Sequence, residues 1–348
     1  MFTALKKSIE SNEMKLGTSV LIITVFVLGV TAGCRQNGEK TGKQKPTGGK
    51  ELLSVDFKKD QTLKYKFVSS REINVDWGQS KNDTGQGQQS SEVLEMVVSY
   101  VPVKANPYGL STIRATFDSS TVRRSPDKGR SVDAAEYFSG KSFTFKVSPS
   151  GKIDDYSELE SLIHQAGEKA FRPAKDNVRI KEPDMIEDVF ATQWFLWDSI
   201  SSIEKPAEGV KAGQSWKSQL ALPTPLLLRK TRDVTYTLSE IRPGEKGRLA
   251  VIQSTYSPGN TAPVSWPFPY SGSFQISGSF GFLGMMCKGF NVSNIQGQGQ
   301  ELFNIDLGRT EQYKQEYQTE LGGASPGLMG VNPKITIKQT LTMGLLEN

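Results

Sequence analysis

"VVSYVPVKANPYGLSTIRATFDSS", from Val97 to Ser120, alternates apolar and polar residues on both sides of Asn106-Pro107-Tyr108-Gly109. A period of two puts one set of side chains on one face, as a half-buried strand does. Proline and glycine between two such runs mark a turn. The stretch therefore reads as an antiparallel hairpin. The same alternation extends upstream, where "LKYKFVSS" puts Leu63, Tyr65 and Phe67 on one face and "SEVLEMVVSYVPVK" leads into the hairpin. Between them "DWGQSKNDTGQGQQSS" is rich in glycine and glutamine and reads as a long loop. Downstream, "SFTFKVSPSGKI" supplies a second hairpin that turns at Pro149 to Gly151.

The opening stretch lies without a gap over "TYTLSEIRPGEKGRLAVIQSTYSP", Thr235 to Pro258. Val103 then meets Ile241, Gly109 meets Gly247, Ile113 meets Val251 and Ser119 meets Ser257. "FTFKVSPSGKI" corresponds to "ELFNIDLGRT". Together these suggest a weak internal duplication of a β-module. Chance likeness between alternating hairpins stays open as the alternative. The duplication leaves an insertion of roughly twenty residues in the second half, a length that often marks function. It falls around "SWPFPYSGSFQISGSFGFLGMMCKGF", entered through Trp266, Phe268 and Tyr270.

Helical spacing appears between the two halves. Leu159, Leu162, Ile163, Ala166 and Ala170 follow the i, i+3, i+4, i+7 pattern up to Pro173. A second helix is expected from Pro183-Asp184, with Ile186, Val189, Phe190, Trp194, Trp197 and Ile200 as its stripe. The fold class expected is mainly β (α+β): antiparallel sheets in two weakly repeated β-modules, with a two-helix insertion between them. The boundaries read as a first module at 61–154, a helical segment at 155–205 and a second module at 206–348.

The N-terminus has a different character. "LGTSVLIITVFVLGV", Leu16 to Val30, is shorter than the roughly 20 apolar residues of a membrane span. It lies between Lys6, Lys7 and Lys15 and the small residues Thr31-Ala32-Gly33, the three parts of a secretory signal peptide over 1–33. Thr31-Ala32-Gly33-Cys34 resembles the lipobox of bacterial lipoproteins. That resemblance implies cleavage before Cys34 and attachment of lipid (diacylglyceryl and a fatty acyl group such as palmitate) to it. Two or three acyl chains hold a protein stably where one would not. Residues 34–60 read as a flexible tether, because "RQNGEKTGKQKPTGGK" has no sizeable apolar group to bury. In such lipoproteins an aspartate after the cysteine commonly retains the protein at the inner membrane. Arg35 stands there, so the expected place is the cell envelope, on the outer membrane facing the periplasm in a host with two membranes.

Composition excludes more than it assigns. The 348-residue chain has a formal charge of +5, spread along its length, which does not form a nucleic-acid surface. Its single histidine, His164, has no second ligand or nucleophile beside it, and zinc would need clustered His and Cys. Asp154-Asp155 and Glu158-Glu160 suit a helix start. "SGKS", Ser139 to Ser142, lacks the earlier glycine of a phosphate loop, with Ala135 in its place. Ser125 and Lys128 have the spacing of a serine-lysine acylase without its other motifs. Cys287 reads as a small core hydrophobe. No cofactor, metal or catalytic residue is therefore expected.

The order of hairpins and helices also resembles an uncharacterised family of exported bacterial proteins, a domain of unknown function. The likeness rests on "FKVSPSGKI" and on "AGQSWKSQLALP", Ala212 to Pro223, and would cover Leu63 to Leu346. It implies no activity. The reading that results is a membrane-anchored exported lipoprotein acting as a non-catalytic binding module for an apolar ligand or an envelope partner. Its expected binding surface is Phe190, Trp194, Trp197, Trp266, Phe268 and Tyr270. The alternatives are a structural or assembly protein of the envelope and, less well supported, an uncharacterised hydrolase.

Overall fold

The computed structural model describes residues 49–58, 61–78, 87–106, 109–125, 134–149, 151, 153–155, 157–159, 161–162, 165–166, 208–221, 231–259, 291–323 and 333–347. All fall in one unit, Pro46–Asn348. Eleven strands run β1 (Leu63–Asp76), β2 (Gln88–Ala105), β3 (Ser111–Ser125), β4 (Ser142–Val147), β5 (Ile153–Asp155), β6 (Ser215–Ala221), β7 (Thr231–Gly244), β8 (Gly247–Pro258), β9 (Asn291–Asn304), β10 (Arg309–Gly322) and β11 (Lys334–Leu346). They form one antiparallel sheet in the order β5-β4-β3-β2-β1-β11-β10-β9-β8-β7-β6. Two meanders, β1–β5 and β6–β10, therefore lie side by side with β11 joining them, in one sheet rather than two.

The expected strands appear, longer than the sequence suggested. β2 begins at Gln88, inside the stretch read as loop. The two-helix insertion is not supported among the described residues. Positions 157–159, 161–162 and 165–166 are helical, with Leu159, Leu162 and Ala166 buried. The second expected helix lies outside the described residues.

Alternation sorts the sheet into two faces. On β1 every odd residue from Leu63 to Val75 is buried, while Lys66, Glu72 and Asp76 are exposed. The buried face carries one continuous cluster from Phe117, Phe143 and Phe145 at one side to Trp216 and Tyr236 at the other. The opposite face carries ion pairs: Lys64–Asp118 at 2.8 Å, Lys66–Glu95 at 3.1 Å and Lys314–Glu316 at 2.6 Å. Exposed pairs of this kind add at most about 1 kcal/mol each.

The tight connections, at 106–110, 148–152, 245–246 and 305–308, gather at one end of the sheet, together with the start of β1 and the end of β11. The connections of ten residues or more leave from the other end. Residues 49–57 cross the tight-turn end as a strap. Glu51 exchanges both backbone hydrogen bonds with Val210, at 2.8 and 2.9 Å, Val55 N–H donates to Pro149 O and Asp56 N–H to Gly308 O. Gly308 has φ of 60°, which lets the β9–β10 turn come up against the strap.

This strap fixes the curvature. The successive strap residues Val55 and Asp56 bond to the β4–β5 and β9–β10 turns, although β4 and β10 stand five strand spacings apart in the sheet, about 24 Å if the sheet were flat. The strap thus draws distant turns together, and the sheet curls towards its apolar face. Leu53, Val55 and Phe57 join the core beneath the strap, whereas Leu52 is 63% exposed. Val55→Ala should accordingly cost about 1.5 kcal/mol, from two buried methyl groups, and Leu52→Ala almost nothing. Urea melts of the two variants check this.

Candidate functional site

Two adjacent rows of residues cross the inner face and break its apolar character. The first runs through directly paired positions: Arg124, Glu92 and Arg71, then Gln339, Tyr317, Gly297, Tyr256 and Val234. The second runs Ser69, Leu341, Gln315, Gly299, Ser254, Tyr236 and Trp216. Ser69, Arg71, Glu92, Ser254, Gln315, Tyr317 and Gln339 are all buried. The rows on both sides are more apolar, with Phe67, Met96 and Met343 towards the tight turns, where Glu301 is also buried, and Ile73, Ile337 and Ile295 towards the other end, where Thr319 and Arg232 are.

On one side of the band Glu92 is shared by two guanidinia. Arg71 donates through Nε at 2.9 Å and Nη2 at 2.5 Å, and Arg124 donates through Nη1 to the other oxygen. Gln339 is the bridge to the second half. It accepts from Tyr317 OH at 2.7 Å and donates to Ser69 Oγ at 3.1 Å. There Arg232 lies with its guanidinium 4.6 Å from the Tyr256 ring centre and 5.6 Å from that of Tyr317. Cation–π contacts between desolvated groups are worth about 2 kcal/mol. Gln315 Oε1 accepts from Arg232 Nη1, Tyr256 OH and Tyr313 OH at 3.1, 3.2 and 3.0 Å. This cluster has room because β9 carries glycine at both inward positions, Gly297 and Gly299. A Cβ on Gly297 would stand 2.5 Å from Tyr317 Cβ, and one on Gly299 would stand 2.5 Å from Tyr256 OH.

The band's groups interact through hydrogen bonds and charge. Burial holds the Tyr313 phenol well above its ordinary pKa, with the Tyr256 and Tyr236 phenols adding to the effect. Tyr65, whose hydroxyl donates to Thr310 O at 2.8 Å, is raised chiefly by burial too. Both stay protonated at neutral pH, and Glu92 is occupied by its two arginines.

The residues expected to bind are not among those the structure describes. Thr31, Ala32, Gly33 and Cys34, and likewise Phe190, Trp194, Trp197, Trp266, Phe268 and Tyr270, lie outside the described residues, as do His164 and Cys287. Among the described residues no group of three or more His, Cys, Asp or Glu could hold a metal ion. Asp155 serves structure: it accepts from Lys146 Nζ at 3.0 Å, which lowers its pKa, and from Ser157 N–H at 3.2 Å. Ser139 Oγ accepts from Ser120 N–H, and Lys141 sits 5.1 Å from the Tyr137 ring, so "SGKS" stitches the Ala134–Phe138 turn to β3. The band escaped the sequence reading altogether. Its signals were Arg71 at the parity of Leu63, Tyr65 and Phe67, and glycine at alternate positions of "IQGQGQ".

No protein-family profile matches the chain, and no curated protein does. Among solved structures, the chain is similar to Pseudomonas aeruginosa OpdQ, at 7% identity over 83% of this chain and all of that one, with a TM-score of 0.23. A mutant porin of Rh. blastica aligns at 8% identity over 82% of this chain and 99% of that one, with a TM-score of 0.16. Those scores are too low to assign a shared fold. The chemistry of the faces also differs from that of a barrel in lipid, which turns an apolar band outward. Here the outward face carries Lys66, Glu72, Asp76, Glu95 and Arg123.

Proposed function

We propose that the protein is an exported lipoprotein, held at a cell-envelope membrane through Cys34, whose rolled sheet is a non-catalytic binding body. The observation that carries the reading is the polar band across the inner face, with Arg71, Glu92 and Arg232 almost fully buried. Desolvating two arginines and a glutamate on one face is costly, and hydrophobic residues of like size often serve stability equally well. A body that orients an amphiphilic ligand or an envelope partner has use for fixed polar groups between apolar rows. Residues 49–57, expected as part of the flexible tether, are instead bonded across the tight-turn end as the strap, with Leu53, Val55 and Phe57 buried.

The test is fractionation of cells producing the wild type and Cys34→Ser, with intact-mass measurement of each. The wild type should sediment with membranes and exceed the mass of the chain beginning at Cys34 by a diacylglyceryl group, with or without an acyl group. Cys34→Ser should be soluble or retain its leader. A wild-type thiol without lipid would overturn the anchor. For the binding half, organic extraction of the purified protein should yield an amphiphile that falls severalfold in Arg232→Gln.

A further inference from the structure

We propose that a cavity at the tight-turn end, separate from the polar band, binds a small amphiphile whose head is a carboxylate or phosphate, with Arg309 as the residue that grips the head. The cavity is half enclosed and about 640 Å3 in volume, within the range of small-molecule sites. Its apolar wall is Leu63, Leu249, Leu302, Leu345 and Leu346, contributed by four strands. Arg309 lines it too and is almost wholly buried, with only 9% exposed.

A buried guanidinium has five N–H donors to satisfy. Arg309 Nε donates to Glu311 Oε1 at 3.1 Å, and its two Nη nitrogens make no side-chain hydrogen bond among the described residues. Glu311 Oε1 is also taken by Asn304 Nδ2 at 3.1 Å, which fixes the carboxylate on the Nε side. The Nη pair is left as a planar fork towards the cavity. That fork matches the two oxygens of a carboxylate or phosphate, as a lysine would not. Leucine walls beside it match an aliphatic chain. At the mouth Lys246 Nζ meets Glu347 Oε1 at 3.2 Å, with both side chains more than half exposed. Such a pair opens at little cost, and once apart Lys246 offers a second cation. Glu245, exposed at the rim, opposes an anion only weakly across solvent.

The experiment uses the full chain purified in a non-ionic detergent, titrated calorimetrically with octanoate, octyl phosphate and, as the neutral counterpart, octanol, each corrected for detergent alone. At least one anionic amphiphile should bind saturably, about tenfold or more tighter than octanol, the worth of one charge-assisted fork. Which anion binds tighter separates a fatty-acid ligand from a phosphorylated one. Arg309→Gln should bring the anion down to the octanol level, and Leu302→Trp, which fills the cavity from a half-buried position, should abolish all three. If Arg309→Gln does not fold, Leu302→Trp decides alone. Absence of saturable binding by the wild type overturns the proposal, as does unchanged anion affinity in a folded variant. The mass at Cys34 tests the anchor separately, so either idea can fail without the other.

Discussion

Glu92→Ala should destabilise the protein by about 3–5 kcal/mol, the usual cost of removing one partner from a buried ionic group. The carboxylate sits between Arg71 and Arg124 on three adjacent strands, and Glu92 and Arg71 are 3% and 1% exposed. Removing it leaves two guanidinia facing each other across β2 in a region that little water reaches. The neighbouring glutamate on the same strand is the control. Glu95 points outward, where it meets Lys66 and Arg123 in solvent. Glu95→Ala should therefore cost under about 1 kcal/mol. Urea unfolding of both variants under one condition makes the comparison. Equal losses would mean that the band is wet, and the reading of the inner face would then have to change.

The contrast between those two residues also marks what the sequence could convey. Period-two alternation located β1 to β4, β7, β8 and the end of β9, because a half-buried strand needs only that pattern, whereas β10 and β11 were not read. Arg71 and Glu92 were lost in it, since alternation assigns a face without saying what that face contacts. In "LKYKFVSSREINVD" the inward parity continues through Ser69 and Arg71 to Ile73 and Val75, and the polar pair looked like the end of a strand.

The overlay of the two halves was correct for one strand and failed in the next. Val98 and Tyr100 lie over Tyr236 and Leu238, and all four are buried. Past the turn the ungapped match sets buried Ala115 over exposed Gln253 and buried Phe117 over exposed Thr255. Their actual partners show the offset: Tyr100 pairs with Ala115, whereas Leu238 pairs with Ile252. Between these pairs and the turn each hairpin has one irregularity of the same kind, between Pro102 and Lys104 and between Leu238 and Glu240, and these cancel. The offset is set at the turns, where Ala105 pairs with Ser111 across five residues and Gly244 with Gly247 across two. A one-residue shift turns every following side chain to the other face. Apolar alternation does not show how many residues a turn takes out of register.

Gly297→Ala should cost about 3 kcal/mol or more, towards the upper end for overpacking a filled site. The added Cβ would stand 2.5 Å from Tyr317 Cβ and 2.7 Å from Tyr317 Cα. Those atoms belong to or adjoin the backbone of β10 and cannot turn aside. At Gly299 the nearest atoms are Ser254 Oγ and Tyr256 OH, each 2.5 Å away. They are the ends of side chains and can swing, so Gly299→Ala should cost less, with its loss concentrated in the Gln315 hydrogen bonds. At Gly322 on β10 a Cβ would meet nothing within 4 Å, and alanine there should be neutral or slightly stabilising through reduced freedom of the unfolded chain. Thermal or urea melts of the three variants should rank them in that order. Were Gly297→Ala as mild as Gly322→Ala, β10 would not lie tightly across β9. The Arg232 guanidinium would then be reachable by water between Tyr256 and Tyr317, and its cation–π contacts would count for much less. A steep ranking means instead that two glycines of β9 make the dry space in which that arginine is held.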